Sequence, residues 1–232
     1  MYFGKPDVKR ISYAASFATL DVVPEYREFV KQELRGIDCI SIREKTSLPL
    51  LASLGRPDGV AVCDPVFLLD KEQWNNHLPK AKMSEKYLLV YLTDHSAEIE
   101  SIAKAMAATH DWKIFVVGGL RTKYADKNFY NAGPFDFVRL IRDAQFVVSN
   151  SFHATAFSLI MEKEFCVVNR KERINERMRS VLEDYGLLSR LVAEYPLGGW
   201  PSIDYSRVSE MLRDFSSTSK HWLETTLRTK KS

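Results

Sequence analysis

The sequence predicts an α/β protein built on mainly parallel sheet. Short β-rich runs alternate with stretches whose apolar residues recur at helical spacing, which is the signature of repeated βαβ units. Residues that start and stop helices stand where that alternation needs them, and 232 residues are enough to bury a substantial core.

Arg10 to Ala15 reads as the first strand. From Pro24 to Arg35, Tyr26, Phe29, Val30 and Leu34 share one helical face, and Pro24 suits the first turn. Cys39 to Ile42 is a second strand, followed by a helix from Lys45 to Leu54 that stops at Gly55. Val60 to Cys63 is a third strand, ended by Asp64-Pro65. The polar stretch from Asn75 to Glu85 lacks periodicity and reads as a linker. Lys86 to Leu92 then opens a second α/β unit. Ser96 caps a helix carrying Ile99, Ile102, Ala103 and Met106. Strands follow at Lys113 to Val117, Phe146 to Val148 and Phe165 to Val168. Helices open at Gly133-Pro134, run from Phe152 to Met161, and run from Glu172 to Tyr185, where Gly186 supplies a left-handed stop. A last helix begins near Asp204. The expected division is a first lobe over 1–77, a linker over 78–85, a second lobe over 86–200 and a helical segment over 201–232.

Composition narrows the function classes. A net charge of +3, locally mixed, gives no case for nucleic acid. No run approaches the roughly 20 apolar residues that span a bilayer, and the N-terminus lacks a signal-peptide core. Cys39, Cys63 and Cys166 lie in or beside strand-like runs without metal-binding spacing, so buried free thiols in a reducing cytoplasm are expected, with no metal and no cofactor.

Ligands of open parallel sheets bind beyond the carboxyl ends of strands. That rule selects Ser16, Arg43, Asp94, His95, the Gly118-Gly119-Leu120-Arg121 turn and Ser149-Asn150-Ser151-Phe152-His153. In the last group, small polar residues lead into an apolar helix with a histidine in its first turn. The helix start suits phosphate or carboxylate, and Ser149, Asn150 and Ser151 either cap it or add donors. His153 is a ligand or proton-transfer group, or else packs against the sheet. Arg43 offers its planar fork to an anion, or forms a surface pair with Glu44 or Glu33. Asp64 ends a strand and could contact a neighbouring loop. Arg121, Lys123 and Lys127 make one loop basic, either for a phosphorylated ligand or as a solvated face. The four tryptophans read as packing anchors, and His77, His110 and His221 attract no functional reading. The two lobes are expected to face one another across a cleft lined by Arg43, Arg121 and His153.

The segments KRISYAASF (Lys9 to Phe17), CISIREKTS (Cys39 to Ser47), VCDPVFLLDKEQW (Val62 to Trp74), GPFDFVRLIRDAQFVVSNSFHATAFSLI (Gly133 to Ile160) and INERMRSVLEDYGLLSRL (Ile174 to Leu191) together resemble the polysaccharide pyruvyl transferase family, in order and in spacing. The resemblance implies two Rossmann-like lobes in the arrangement of the GT-B glycosyltransferases. It also implies transfer of pyruvate from phosphoenolpyruvate, a co-substrate, onto two hydroxyls of one sugar as a cyclic ketal. By position, Arg43 resembles the family arginine that holds phosphoenolpyruvate, His153 its catalytic histidine and Arg121 a second anion-binding arginine. Some members carry arginine where this chain has Ser151. Ser16, Ser149, Asn150 and Ser151 fall to substrate binding, and the acceptor is expected to be nucleotide- or lipid-linked. An imidazolium is a suitable proton donor to the phosphoenolpyruvate methylene near neutral pH.

Members carry a Gly-rich strand–loop–helix before the equivalent of Lys9, so the first lobe is expected to be incomplete here. Two other readings stay open: a GT-B glycosyltransferase using a nucleotide sugar, and a truncated, non-catalytic remnant of the family.

Overall fold

The computed structural model describes residues 8–17, 21–92, 94–119, 121–168, 176–196 and 199–229. The chain divides into two compact units. One comprises Met1–Leu68 with Met211–Ser232, and the other Leu69–Glu210. This division precedes the 78–85 stretch assigned as a linker from the sequence, and the end of the last helix counts with the first unit. Hydrogen bonds explain why 78–85 stays with the second unit: Arg142 Nη1 donates to Pro79 O at 2.8 Å, and Met83 N–H donates to Asp143 at 3.1 Å.

The first unit carries a parallel sheet, β1 (Ile11–Ala15), β2 (Cys39–Ile42) and β3 (Val60–Ala61), in the order β1-β2-β3. Val62, expected within β3, still donates its N–H to Ile42 O at 2.9 Å. The crossover helix α1 (Pro24–Leu34) has no fully buried residue, and Tyr26 and Phe29 stand exposed. The helix expected from Lys45 to Leu54 splits into a 3-10 turn, Lys45–Ser47, and α2 (Leu48–Ser53). Pro49 accounts for the split, because it lacks an N–H and its ring crowds the preceding turn. Ile40, Ile42 and Leu51 form the core of this unit.

In the second unit, α3 (Lys71–Asn76) opens on a capping box. Asp70 accepts from the Gln73 N–H, and the Gln73 side chain accepts from the Asp70 N–H. Then follow β4 (Tyr87–Tyr91), α4 (Ala97–His110), β5 (Lys113–Val117), β6 (Lys127–Phe129), α5 (Pro134–Asp143), β7 (Phe146–Ser149), α6 (Phe152–Ile160), β8 (Phe165–Val168), α7 (Glu176–Asp184) and β9 (Leu191–Val192). The six strands are all parallel, in the order β6-β5-β4-β7-β8-β9. Ser96 caps α4 as expected, accepting from the Ile99 N–H at 3.2 Å. Gly186 closes the end of α7 at φ +68°, where a side chain would be strained. The part of α7 expected over 172–175, with Ile174, lies outside the described residues.

Strands β6 and β9 were not anticipated. Both are edge strands of two or three residues, too short to show a periodicity. The basic loop expected over Arg121 to Lys127 therefore ends in sheet, where Lys127 lies 3.5 Å from Glu85 and 5.4 Å from the Phe115 ring. The core of this sheet runs through Leu88, Val90, Ile99, Ile102, Val116, Val148 and Cys166. Helix α8 (Tyr205–Arg228) ends the fold. In the first unit, its Ser219 Oγ accepts the Cys63 N–H at 2.9 Å, and Trp222 lies 6.2 Å from Tyr13.

Candidate active site

Strand order locates the crevice of the second sheet. From β4 the chain steps outward through β5 to β6, then returns to place β7 on the other side of β4. The two loops leaving β4 and β7 therefore diverge, which opens a crevice at their carboxyl ends. Ser149 fastens this point: its hydroxyl donates to Tyr91 O at 2.7 Å and accepts the Ser151 N–H at 3.0 Å. Ser149 and Asn150 are buried, and Ser151 is half-buried. Ser151 occupies the N-cap position of α6 by backbone, but its side chain makes no capping bond. Ser149 thereby braces the turn, and the Ser151 carbonyl receives the Thr155 N–H and hydroxyl.

The buried face of α6, from Ala154 to Ile160, fixes that helix against β7 and β8. His153 stands exposed in its first turn, its ring edge-on to Phe152 at 5.4 Å. Packing against the sheet, one of the two readings of this histidine, is thereby excluded. The helix start directs its first N–H groups and the positive end of its dipole toward the same point. Asp94 and His95, beyond the end of β4, are exposed on this edge as well.

Arg121 follows the Gly118-Gly119 turn at the end of β5 and is exposed. Gly118 has φ +129° and lies against the Tyr91 ring, so the turn requires glycine. Thr122 is buried beside β6 through hydrogen bonds with Asn128, which anchors Arg121 near the carboxyl edge.

In the first unit, Ser16, Arg43 and Asp64 follow β1, β2 and β3 at the same carboxyl edge. The Arg43 side chain is only 17% exposed, so it does not stand on the surface where a pairing with Glu44 or Glu33 was expected. Arg43 Nη1 instead lies 2.9 Å from Asp64 Oδ2, with the Asp64 side chain 2 % exposed. Asp64 thus fulfils the loop contact anticipated for it, and its other oxygen accepts the Val66 N–H at 2.9 Å. Glu44, read from the sequence only as a surface partner, is buried and accepts the Ser16 hydroxyl at 2.8 Å. Its position between a strand and a 3-10 turn gave no sign of this. The expected site residues thus form two sets, Ser16 with Arg43 on one unit and Arg121, Ser149, Asn150, Ser151 and His153 on the other. Among the described residues, no group of three or more His, Cys, Asp or Glu side chains stands where it could hold a metal ion, and no helix is long and apolar enough to cross a membrane.

A family model described as "Polysaccharide pyruvyl transferase" matches residues 2–172, well over half of the chain. No curated protein matches the sequence. Among solved structures, the chain is similar to UDP-GlcNAc 2-epimerase from Neisseria meningitidis bound to UDP-GlcNAc, with a TM-score of 0.52 and 12% identity, over 96% of this chain and 70% of that one. It is also similar to a putative UDP-N-acetylglucosamine 2-epimerase from Listeria monocytogenes, with a TM-score of 0.50 and 11% identity, over 92% and 69%. At such identities the likeness is one of fold, and the expected α/β class of GT-B type stands.

Proposed function

This chain belongs to the polysaccharide pyruvyl transferase family, and from that premise we propose that it moves pyruvate from phosphoenolpyruvate onto a sugar of a polysaccharide precursor, forming a cyclic ketal. The observation that carries the reading is the exposed His153 in the first turn of α6, beside the switch point braced by Ser149. An imidazolium there donates its proton to the methylene carbon of phosphoenolpyruvate, and C2 becomes cationic. One sugar hydroxyl attacks C2 and gives up its proton, with the neutral imidazole as acceptor. A second hydroxyl of the same sugar then displaces phosphate from C2 and closes the ketal, its proton leaving with the phosphate, so a diol and phosphoenolpyruvate yield a ketal and inorganic phosphate. The helix start favours the anionic end of the donor.

Arg43 is assigned to an oxyanion of the donor, on the strength of its position in the IREKTS segment. Asp64 fixes the side chain from one direction, which limits the orientations its fork can take.

The test is phosphate release from phosphoenolpyruvate, followed by ³¹P NMR, with a panel of saccharide acceptors and the ketal identified by mass spectrometry. In an active preparation, His153→Gln is expected to slow ketal formation by about 10²-fold or more. Donor binding should weaken only modestly, because the helix start remains. A His153→Gln variant that forms ketal at the wild-type rate would remove the histidine from the chemistry.

A further inference from the structure

The end of β1 is built irregularly, and the irregularity lies beside Arg43. Between Ser12 and Ala15 the register with β2 slips, because three steps along β1 match two along β2, from Ile40 to Ile42. The extra residue makes a β-bulge in which Ala14 takes φ +52°, a left-handed conformation uncommon for residues other than glycine. Ser41, wholly buried, holds the bulge: its hydroxyl accepts the Ala14 N–H at 3.1 Å and donates to Ser12 O at 3.0 Å. One extra residue reverses the side on which the following side chains fall. Past the bulge the two strands join again, with the Arg43 N–H donating to Ala15 O at 2.9 Å. Ser16 and Arg43 therefore leave the sheet as neighbours.

Ser16 donates its hydroxyl proton to Glu44 Oε1 at 2.8 Å. Glu44 is 4% exposed, and its Oε2 has no hydrogen-bond partner among the described residues. A buried carboxylate so poorly supplied with donors holds the one it has, since losing it would leave the whole group unsatisfied. A serine hydroxyl carries a single donor, and its oxygen otherwise only accepts. With that donor committed to Glu44, the half-buried Ser16 can offer a ligand only an acceptor. Such a group suits a hydroxyl. An oxyanion would meet lone pairs with a carboxylate behind them. Arg43, next along the edge, has the opposite character.

Resting on the pyruvyl-transfer reading, we propose that Ser16 binds a hydroxyl of the acceptor sugar, not the phosphate or carboxylate of phosphoenolpyruvate, and that Glu44 is the positioning residue that fixes Ser16 in this role. The sugar hydroxyl donates to Ser16 Oγ, which donates to Glu44, and the chain of hydrogen bonds polarises toward the buried carboxylate. Donor and acceptor are thus sorted along one sheet edge, with the anion at Arg43 and the sugar hydroxyl at Ser16. The strained bulge is what delivers Ser16 to that position.

The experiment uses the full chain with the saccharide that forms ketal fastest in the acceptor panel, together with its monodeoxy analogues. Ser16→Ala is expected to raise the acceptor KM about tenfold or more, while calorimetry finds phosphoenolpyruvate binding within about twofold of the parent. Ser16→Thr, which keeps a hydroxyl, should recover most of that loss. Glu44→Gln should raise the acceptor KM about threefold or more without weakening phosphoenolpyruvate, a split that a merely structural role would not produce. One monodeoxy analogue should have a raised KM with the parent and be indifferent to Ser16→Ala, which identifies the hydroxyl concerned. Melting curves of the parent and Ser16→Ala should coincide. The proposal is overturned if Ser16→Ala leaves the acceptor KM unchanged, or weakens phosphoenolpyruvate as much as the acceptor. It is also overturned if every monodeoxy analogue is as sensitive to Ser16→Ala as the complete sugar. If no saccharide releases phosphate from phosphoenolpyruvate, pyruvyl transfer falls, and Ser16 is judged by calorimetric titration with the same saccharides. Saccharide binding that weakens in Ser16→Ala then upholds the hydroxyl site, and binding that is absent or unchanged overturns it.

Discussion

Asp64 decides what Arg43 is able to do. A carboxylate 2 % exposed beside the guanidinium would be left buried and uncompensated if the charge were removed. An alanine variant would therefore confuse loss of fold with loss of ligand. Arg43→Lys keeps the charge facing Asp64 and loses the planar fork. The expected outcome is phosphoenolpyruvate binding about tenfold weaker, equal to about 1.4 kcal/mol, with an unchanged melting curve. Calorimetric titration beside circular dichroism would check it, and unaltered affinity in the folded variant would assign Arg43 to Asp64 alone. Arg43 itself was legible in the sequence because it leaves a strand at the carboxyl end. Its partner was not, since the pairing depends on β3 lying next to β2. His153 was legible for the same reason as Arg43, and only packing could decide that its ring faces outward.

At the scale of elements, the short connections set the register of the first sheet. Gly59 precedes β3, and a Cβ built there would lie 2.2 Å from Leu51 Cδ2, while Leu51 is wholly buried in α2. Gly59→Ala is therefore expected to lower stability by about 1–3 kcal/mol through overpacking. A urea midpoint equal to the wild type's would mean that α2 can shift aside. Helix α8 secures the chain just beyond this strand, because Ser219 supplies the acceptor for the buried Cys63 N–H. Elements long enough to repeat their pattern, such as α4 and β4, were read closely from the sequence. Short ones were not, since two or three residues of β6 or β9 carry no period.

For the whole molecule, buried acids make stability sensitive to alkali. Burial pushes the Cys166 thiol well above its usual range and raises Cys63, and it also raises the Tyr13, Tyr87 and Tyr205 phenols. Tyr124 is pushed up to about 12, again by burial. Each of these groups holds its proton longer in the folded state than in the unfolded one. Their contribution is therefore complete below the unfolded thiol range, roughly pH 8.5, and declines as pH rises beyond it. Lys163, lowered by burial, acts in the opposite sense, because the unfolded lysine keeps its proton longer and its term rises with pH. One lysine does not offset two thiols and four phenols. Urea midpoints should fall steadily above about pH 8.5, and Cys166→Ala should start lower and fall less steeply. A flat profile to pH 10 would contradict this. Taken by itself, the sequence determined the α/β class, the parallel strands and the candidate groups at their carboxyl ends, because periodicity and helix punctuation are local properties of the chain. Tertiary structure alone decided the return of β7 to the side of β4, the ion pair of Arg43 with Asp64, the burial of Glu44 and the exposure of Tyr130 and Phe135. Those depend on which distant segments become neighbours, and that follows from the free energy of the assembled fold rather than from any local stretch of sequence.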